Sequence, residues 1–204
     1  GFLARSMGVP IRRLILATNE NNVLEEFFTT GIYRPRSAAD TLATSSPSMD
    51  ISKASNLERF IWALLGPEAF VQRWAELEST GTLDLRDQLP RLGEDFGFVA
   101  GTSSHADRLE AIRSVKERSG RLIDPHTADG VTVALRTMEP GFPTLVMETA
   151  KAAKFPQTVA EALGTEPETP AVIADLLARP QKVETIDNEE APLRALIEER
   201  ALTS

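Results

Sequence analysis

Short apolar runs alternate with amphipathic helical patterns along most of this chain, and this alternation limits the possible folds more than any other feature. The run within residues 12–19 is continuous and apolar, which is typical of a parallel strand covered on both faces. Further strands are predicted at residues 96–101, 122–124, 144–147 and 182–186. Strands separated by helices predict an α/β fold, with an open, largely parallel, twisted sheet and helices on both faces.

Capping residues mark several of the predicted helix starts. Asn21 is expected to cap a helix that ends at Gly31. Residues 104–107 resemble a capping box, and Pro125 suits the first position of the next helix. Residues 1–8 have a helical pattern with no capping residue, which indicates a chain cut from a longer protein. Further helices are predicted at residues 157–163, 171–178 and 189–202.

A long polar segment interrupts the alternation and suggests how the chain is organised. Residues 32–53 contain two prolines and a cluster of Ser and Thr, so they are predicted to form a loop of the length often found at functional sites. The first strand–helix unit and this loop make up residues 1–53. Residues 54–95 are predicted to be a helical insertion, and residues 96–204 the remainder of the α/β domain with its C-terminal helices.

Composition excludes several classes of function. The net charge of −8 disfavours nucleic acid or an anionic membrane as a partner. The chain has no cysteine, which removes disulfides, thiolate catalysis and Cys-based zinc sites, and two histidines are too few for a His-rich metal site. No metal site is therefore expected. No apolar run has the length of a membrane span and no signal peptide is recognisable, so a cytoplasmic protein is expected.

Polar residues follow the predicted strands, where ligands bind in open α/β sheets. The candidates are Asn19, residues 102–104, residues 124–127 and residues 148–149. Helix capping alone explains Ser, Thr, Asp and Asn at such positions and is the favoured interpretation of any one of them. His126 beside Asp124 is either a base with its orienting carboxylate or, more commonly, a structural histidine. No nucleophile elbow, phosphate-binding glycine loop or zinc-protease motif is present.

Several motifs together resemble the threonine synthase family over essentially all 204 residues. In order, the motifs are ATNEN at 17–21, SPSMDIS at 46–52, DPHTA at 124–128 and ETAKAAKF at 148–155. The resemblance implies the fold type II of pyridoxal-phosphate enzymes, which tryptophan synthase β and cysteine synthase share. It also implies conversion of O-phosphohomoserine and water to threonine and phosphate, with pyridoxal phosphate as the cofactor.

The resemblance assigns expected roles to individual residues. The hydroxyl of Thr149 matches the group that hydrogen-bonds the pyridine nitrogen of the cofactor, and Asn19 would lie near the cofactor. The residues expected to line or support the substrate cleft are Ser46, Ser48, Asp50, Asp124, His126, Thr127 and Lys154. For Lys154, a structural role with its stem lying along apolar surface is favoured over binding of an anion. The chain has Lys151-Ala152 where the family often has His-Pro, so no role is expected for this pair.

Two central parts of the family's active site have no match here. The lysine that forms the Schiff base, and the loop rich in Gly and Asn that holds the cofactor phosphate, are expected upstream of residue 1. No catalytic residue is therefore predicted in this chain, which should be inactive alone and should require the missing N-terminal part as its partner. The alternatives are another β- or γ-replacing enzyme of this fold and a non-catalytic binding module.

Overall fold

The computed structural model describes residues 1–201 and divides the chain into two compact units, Gly1–Glu168 and a unit that begins at Thr169. The strands are β1 (Leu14–Thr18), β2 (Ile32–Tyr33), β3 (Leu83–Asp84) and β4 (Phe98–Thr102). The helices of the first unit are α1 (Phe2–Ser6), α2 (Val23–Thr30), α3 (Leu57–Leu65), α4 (Pro67–Thr80), α5 (Leu89–Glu94), α6 (His105–Ser119), α7 (Pro125–Thr137) and α8 (Pro156–Leu163). The second unit contains α9 (Ala171–Ala178) and α10 (Glu190–Arg200). No helix within residues 1–201 is both long and apolar enough to cross a membrane.

Strands β1 and β4 form a parallel pair that places polar residues at one edge of the sheet. Leu14 pairs with Phe98 and Thr18 pairs with Thr102, so both strands end at the same level. The hydroxyls of Thr18 and Thr102 lie 3.1 Å apart at this edge. Because the strands are parallel, Asn19 and the start of α6 emerge on the same side of the sheet.

Helices α2 and α7 pack on opposite faces of this sheet. Phe98 packs against Phe28 of α2, with ring centroids 4.6 Å apart. Gly101 approaches α7 so closely that a Cβ atom there would lie 2.9 Å from the side chain of Val133. Side chains three residues apart on a strand point to opposite faces, so the two helices sandwich the sheet. The predicted α/β class, with parallel strands and helices on both faces, is confirmed.

The main apolar core joins α2 and β4 to the helices predicted as an insertion. Phe60 of α3 is 5% exposed, and its ring lies 4.8 Å from that of Phe98 and 5.8 Å from that of Phe28. Tyr33 and Leu83, which pair across the short antiparallel sheet of β2 and β3, are fully buried in the same core. The helices between residues 54 and 95 therefore cover the α2 face of the parallel sheet.

Three of the predicted strands are wrong. Residues 122–124, 144–147 and 182–186 form no β-ladder. A strand is stabilised by hydrogen bonds to a neighbouring strand, and none of these segments pairs with one in the described part of the chain. Leu145 and Met147 are accordingly 87% and 76% exposed.

The predicted helix starts have mixed outcomes. The capping box at Ser104 and the helix start at Pro125 are confirmed. Asn21 does not cap α2: that helix follows Asn22, and the Asn21 side chain instead bonds the backbone of Leu42. The last helix ends at Arg200, and Leu202, predicted as its end, lies outside the described residues.

Candidate functional site

An open cleft of about 470 Å³ lies between β1, α7 and the segment after α7. It brings together four of the predicted site residues, which are Ser48, His126, Thr149 and Lys154. Its walls are otherwise largely apolar, with contributions from Ile15, Ala17, Met49, Ala134, Val146 and Met147. A cleft of this size, with apolar walls and a few polar groups, is typical of a small-molecule site.

Thr149 is one of the residues that line this cleft. The residue is exposed, and its side chain makes no hydrogen bond among residues 1–201. Its position is set through the backbone, because its N–H points to the hydroxyl oxygen of Thr127 at 3.4 Å. The neighbouring Glu148 instead forms a surface ion pair with Lys151 at 2.7 Å. Thr149 therefore offers a hydrogen-bonding group that the chain itself does not use.

The first turn of α7 holds the backbone of Thr149 through Thr127 and Asp124. Asp124 is fully buried and caps the helix, accepting hydrogen bonds from the backbone N–H of His126 at 2.9 Å and from the Thr127 hydroxyl. Burial raises the pKa of Asp124, but hydrogen bonds from His126 and Thr127 more than compensate and hold this pKa below its ordinary value of 3.8. Asp124 and Thr127 support the cleft without lining it.

His126 uses both of its ring nitrogens within the chain. Its Nδ1 lies 2.8 Å from Asp124, and its Nε2 accepts the backbone N–H of Ser48 at 3.0 Å. Since an N–H can only donate, Nε2 must be the unprotonated nitrogen and Nδ1 carries the hydrogen. The ring of Phe155 packs edge-on at 4.7 Å. This geometry favours a structural histidine that ties the loop at Ser48 to α7.

Asn19, Ser46 and Asp50 form a polar knot at the end of β1 and do not line the cleft. The Asn19 amide nitrogen lies 3.2 Å from the Ser46 hydroxyl and 2.8 Å from both Asp50 and the Thr44 hydroxyl. Burial raises the pKa of Asp50, but hydrogen bonds from Thr44, Asn19 and Asn21 together hold it below the ordinary value of 3.8. The knot fixes the loop that carries Ser48. The Asn19 amide nitrogen has two hydrogens to donate and four acceptors around it within the chain, so it has no hydrogen left to donate to a ligand.

A buried ion-pair network beside this knot is absent from the sequence-based predictions. Arg108 of α6 is fully buried and pairs with Glu20 at 2.8 Å and with Asp129 of α7 at 3.0 Å. Arg108 lies on the same helical face as Ala111 and Ile112, both buried. An arginine on the apolar face of a predicted helix is the signal that could have revealed the network.

Comparisons with known proteins show which proteins this chain is similar to. A family model described as "Threonine synthase, C-terminal" matches residues 127–197. The threonine synthase of Methylobacillus glycogenes is 49% identical over 203 residues, and that of Corynebacterium glutamicum is 48% identical over 204 residues. These matches cover 98% and 97% of this chain but only 42% of each relative, so the chain spans less than half the length of the curated relatives.

A solved structure gives the same result at the level of the fold. The crystal structure of PLP-bound threonine synthase from Brucella melitensis superposes with a TM-score of 0.84 at 34% identity. The match covers 98% of this chain and 42% of that one. In sequence and in fold, the chain is similar over nearly its whole length to less than half of a longer protein.

Proposed function

We propose that this chain, which corresponds in sequence and fold to the C-terminal part of threonine synthases, forms one wall of a pyridoxal-phosphate site in a longer enzyme. The full-length enzyme would convert O-phosphohomoserine and water to threonine and phosphate, as a phosphate-eliminating lyase. The chain spans only 42% of its relatives, so the lysine and the phosphate-binding loop that this activity requires would come from the remainder of the protein.

The residues present in the cleft fit the cofactor. Apolar side chains such as Ile15, Ala17 and Val146 suit the faces of an aromatic ring, and the cleft volume of about 470 Å³ lies within the usual range for small-molecule sites. The observation that carries the proposal is that Thr149 is exposed at this cleft and that its hydroxyl has no hydrogen-bond partner in residues 1–201.

The chemical identity of Thr149 matters for the reaction. Pyridoxal phosphate, when bound, supplies an electron sink that stabilises a carbanion next to the amino group of the substrate. A hydroxyl donates a hydrogen bond to a ring nitrogen without transferring its proton, whereas a carboxylic acid in the same position would protonate it. Thr149 would therefore orient the ring and keep the sink mild, which suits elimination and replacement.

The other cleft residues would act on the substrate or support the site. Ser48 and Lys154 lie at the cleft wall, where a hydroxyl and an ammonium group could contact the polar ends of O-phosphohomoserine. His126, Asp124 and Thr127 would hold the loop and the segment after α7 in place. Asn19, Ser46 and Asp50 would act one layer further out, because their polar atoms are engaged with one another.

The test replaces Thr149 in the full-length protein that contains this chain. Thr149→Ala removes the hydroxyl, and Thr149→Ser is the matched control that keeps it. A neutral hydrogen bond contributes about 0.5–1.5 kcal/mol, so Thr149→Ala should lower phosphate release from O-phosphohomoserine by roughly two- to tenfold. The absorption spectrum of the bound cofactor should also shift in Thr149→Ala and not in Thr149→Ser.

Two outcomes would count against the proposal. If turnover and the cofactor spectrum are the same in Thr149→Ala as in wild type, Thr149 does not bind the cofactor. A full-length wild-type protein that binds pyridoxal phosphate but releases no phosphate from O-phosphohomoserine would instead reject the substrate and keep the cofactor assignment.

A further inference from the structure

Arg108 makes directed contacts with three elements that meet behind the cleft. Its Nη2 lies 2.8 Å from both carboxylate oxygens of Glu20, and its Nη1 lies 3.0 Å from Asp129. Its third donor, Nε, bonds the hydroxyl of Ser45 at 2.8 Å. The guanidinium group therefore joins the end of β1, α7 and the loop before Ser48, although it lies outside the cleft itself.

Stability alone is a poor explanation for this buried arginine. Removing a guanidinium and a carboxylate from water is costly, and well-packed apolar residues often stabilise a fold as much as a buried ion pair. One oxygen of Asp129, Oδ2, also has no hydrogen-bond partner in the described part of the chain. Burial raises the pKa of Asp129, and the Arg108 guanidinium only partly opposes this effect. What a planar guanidinium does provide is fixed direction, because its N–H groups point along set axes.

The direction of the hydrogen bonds can be followed from Arg108 to the protein surface. A guanidinium can only donate, so the Ser45 oxygen accepts from Nε and its own hydrogen is free to point elsewhere. The Ser45 oxygen lies 2.7 Å from Nδ1 of His105. A carboxylate only accepts, so Nε2 of His105 donates to Glu161 at 2.8 Å, and Nδ1 of a ring with its hydrogen on Nε2 accepts the Ser45 hydrogen. The Ser45 hydroxyl is therefore held from both sides, in a single orientation.

The position of Ser45 determines where the next residues lie. The following residue, Ser46, is fully buried and bonds the Asn19 amide at 3.2 Å, and a short 3₁₀ turn over Pro47–Met49 comes next. Ser48 and Met49 of this turn line the cleft. Arg108 thus reaches the cleft through Ser45 and the turn that follows it.

We propose that Arg108 is a positioning residue which, through the Ser45 hydroxyl, fixes the Pro47–Met49 turn against bound substrate. The proposal rests on the proposed function, since it takes the cleft to hold the substrate. It predicts that cutting the link at Ser45 weakens substrate binding and leaves the chemical step intact, because Thr149 and the ion pairs of Arg108 stay in place.

The experiment compares Ser45→Ala with Ser37→Ala in the full-length protein. Ser37 is a matched control, since it is an exposed serine of the same loop whose hydroxyl bonds only Asp40 of its own turn. Amide hydrogen exchange of residues 44–50 is measured first, without substrate. Ser45→Ala should exchange in this segment at least fivefold faster than wild type, and Ser37→Ala should leave it unchanged.

Steady-state kinetics with O-phosphohomoserine provide the second measurement. Ser45→Ala should raise KM severalfold with kcat within twofold of wild type, whereas general loss of folded enzyme would lower kcat at constant KM. Arg108→Lys keeps the positive charge but cannot reach all three acceptors with one ammonium group, so it should reproduce the KM effect in whatever fraction remains folded.

Unchanged exchange in Ser45→Ala would overturn the proposal, and so would faster exchange with KM unchanged. If the wild-type protein shows no activity toward O-phosphohomoserine, the proposed function fails, while the exchange measurement still decides whether Arg108 and Ser45 order the turn.

Discussion

Replacing Asp124 tests how firmly the cleft depends on the first turn of α7. Asp124→Ala removes a helix cap, which costs about 1 kcal/mol. It also leaves the Thr127 hydroxyl and the His126 ring N–H without their acceptor in a buried environment, at about 1–3 kcal/mol each. Relief from burying the Asp124 carboxylate offsets part of this loss, so we expect a net destabilisation of about 3 kcal/mol.

Native-state hydrogen exchange of the full-length protein measures this effect where it arises. A loss of about 3 kcal/mol corresponds to a hundredfold or greater fall in the protection of the α7 backbone amides. Asp87→Ala is the control, because this exposed carboxylate makes its ion pair at a separate site, with Arg73 at 3.6 Å. Protection of α7 in Asp124→Ala within threefold of wild type would refute the idea that Asp124 anchors this turn.

The same residue predicts a pH dependence with a definite sign. Because the pKa of Asp124 is lowered on folding, its contribution is fully present above its unfolded pKa of about 3.9. The contribution is lost as the pH falls through the folded pKa, which lies below 3.8. The difference in free energy of unfolding between wild type and Asp124→Ala, measured by denaturant titration, should therefore be constant from pH 7 to pH 5 and shrink below about pH 4. A difference that grows on acidification would contradict the assignment.

Two further substitutions examine the surroundings of the cleft. Asn19→Ala should destabilise the loop at residues 44–50 by about 2 kcal/mol, because the buried acceptors on Ser46 and Asp50 lose their amide donor. Hydrogen exchange of this loop should be faster than in wild type, and the exposed control Asn56→Ala should leave it unchanged. Unchanged exchange in Asn19→Ala would contradict the proposed knot. Gly130→Ala should raise the melting temperature, because alanine is favoured over glycine within a helix by about 1 kcal/mol. The new Cβ would lie 3.0 Å from the Val146 side chain, and we expect residues 144–147, which pair with no strand, to move aside. A lower melting temperature would show that residues 144–147 are held rigidly.

Local patterns in the sequence predicted the features that depend on local chemistry. The capping box at Ser104 and the start of α7 at Pro125 require only side chains within one turn of the helix they begin. The continuous apolar character of β1 likewise indicated a strand covered on both faces. Helices α2 and α7 do lie on its two faces, but residues 14–17 stay half-buried, and Ile15 and Ala17 also line the open cleft. In these cases, neighbouring residues contain the information needed.

Features that depend on distant partners could not be obtained in this way. Residues 144–147 have the composition of a strand, but a strand forms only where another strand lies beside it. Asn21 has the residue type of a helix cap, and it bonds Leu42 and Asp50 across the loop instead. Arg108 meets Glu20 and Asp129 through the fold, with 88 residues separating it from Glu20.

The candidate site was predicted in part for the same reason. The motifs named residues that the fold does bring to one edge of the sheet, but they did not separate those that face the cleft from those that support it. Ser48 and Thr149 face the cleft, while Asn19 and Asp124 are fully buried among other side chains. Which side of a loop a polar residue presents is decided by its hydrogen-bond partners, and these come from elsewhere in the chain.

The chain of contacts from Asp124 through Thr127 to Thr149 has a consequence for protein engineering. The Thr127 hydroxyl donates to Asp124 and accepts from the backbone of Thr149, and of the twenty amino acids only serine matches that short double-acting group closely. Positions 124 and 127 therefore have to be varied together, whereas position 149 takes part only through its backbone N–H, so its side chain can be varied alone. To redesign the cleft, it is better to vary its apolar wall. The side chains of Met49 and Met147 have no strong hydrogen-bonding group, so replacing them leaves the contacts of Asp124 and Thr127 in place.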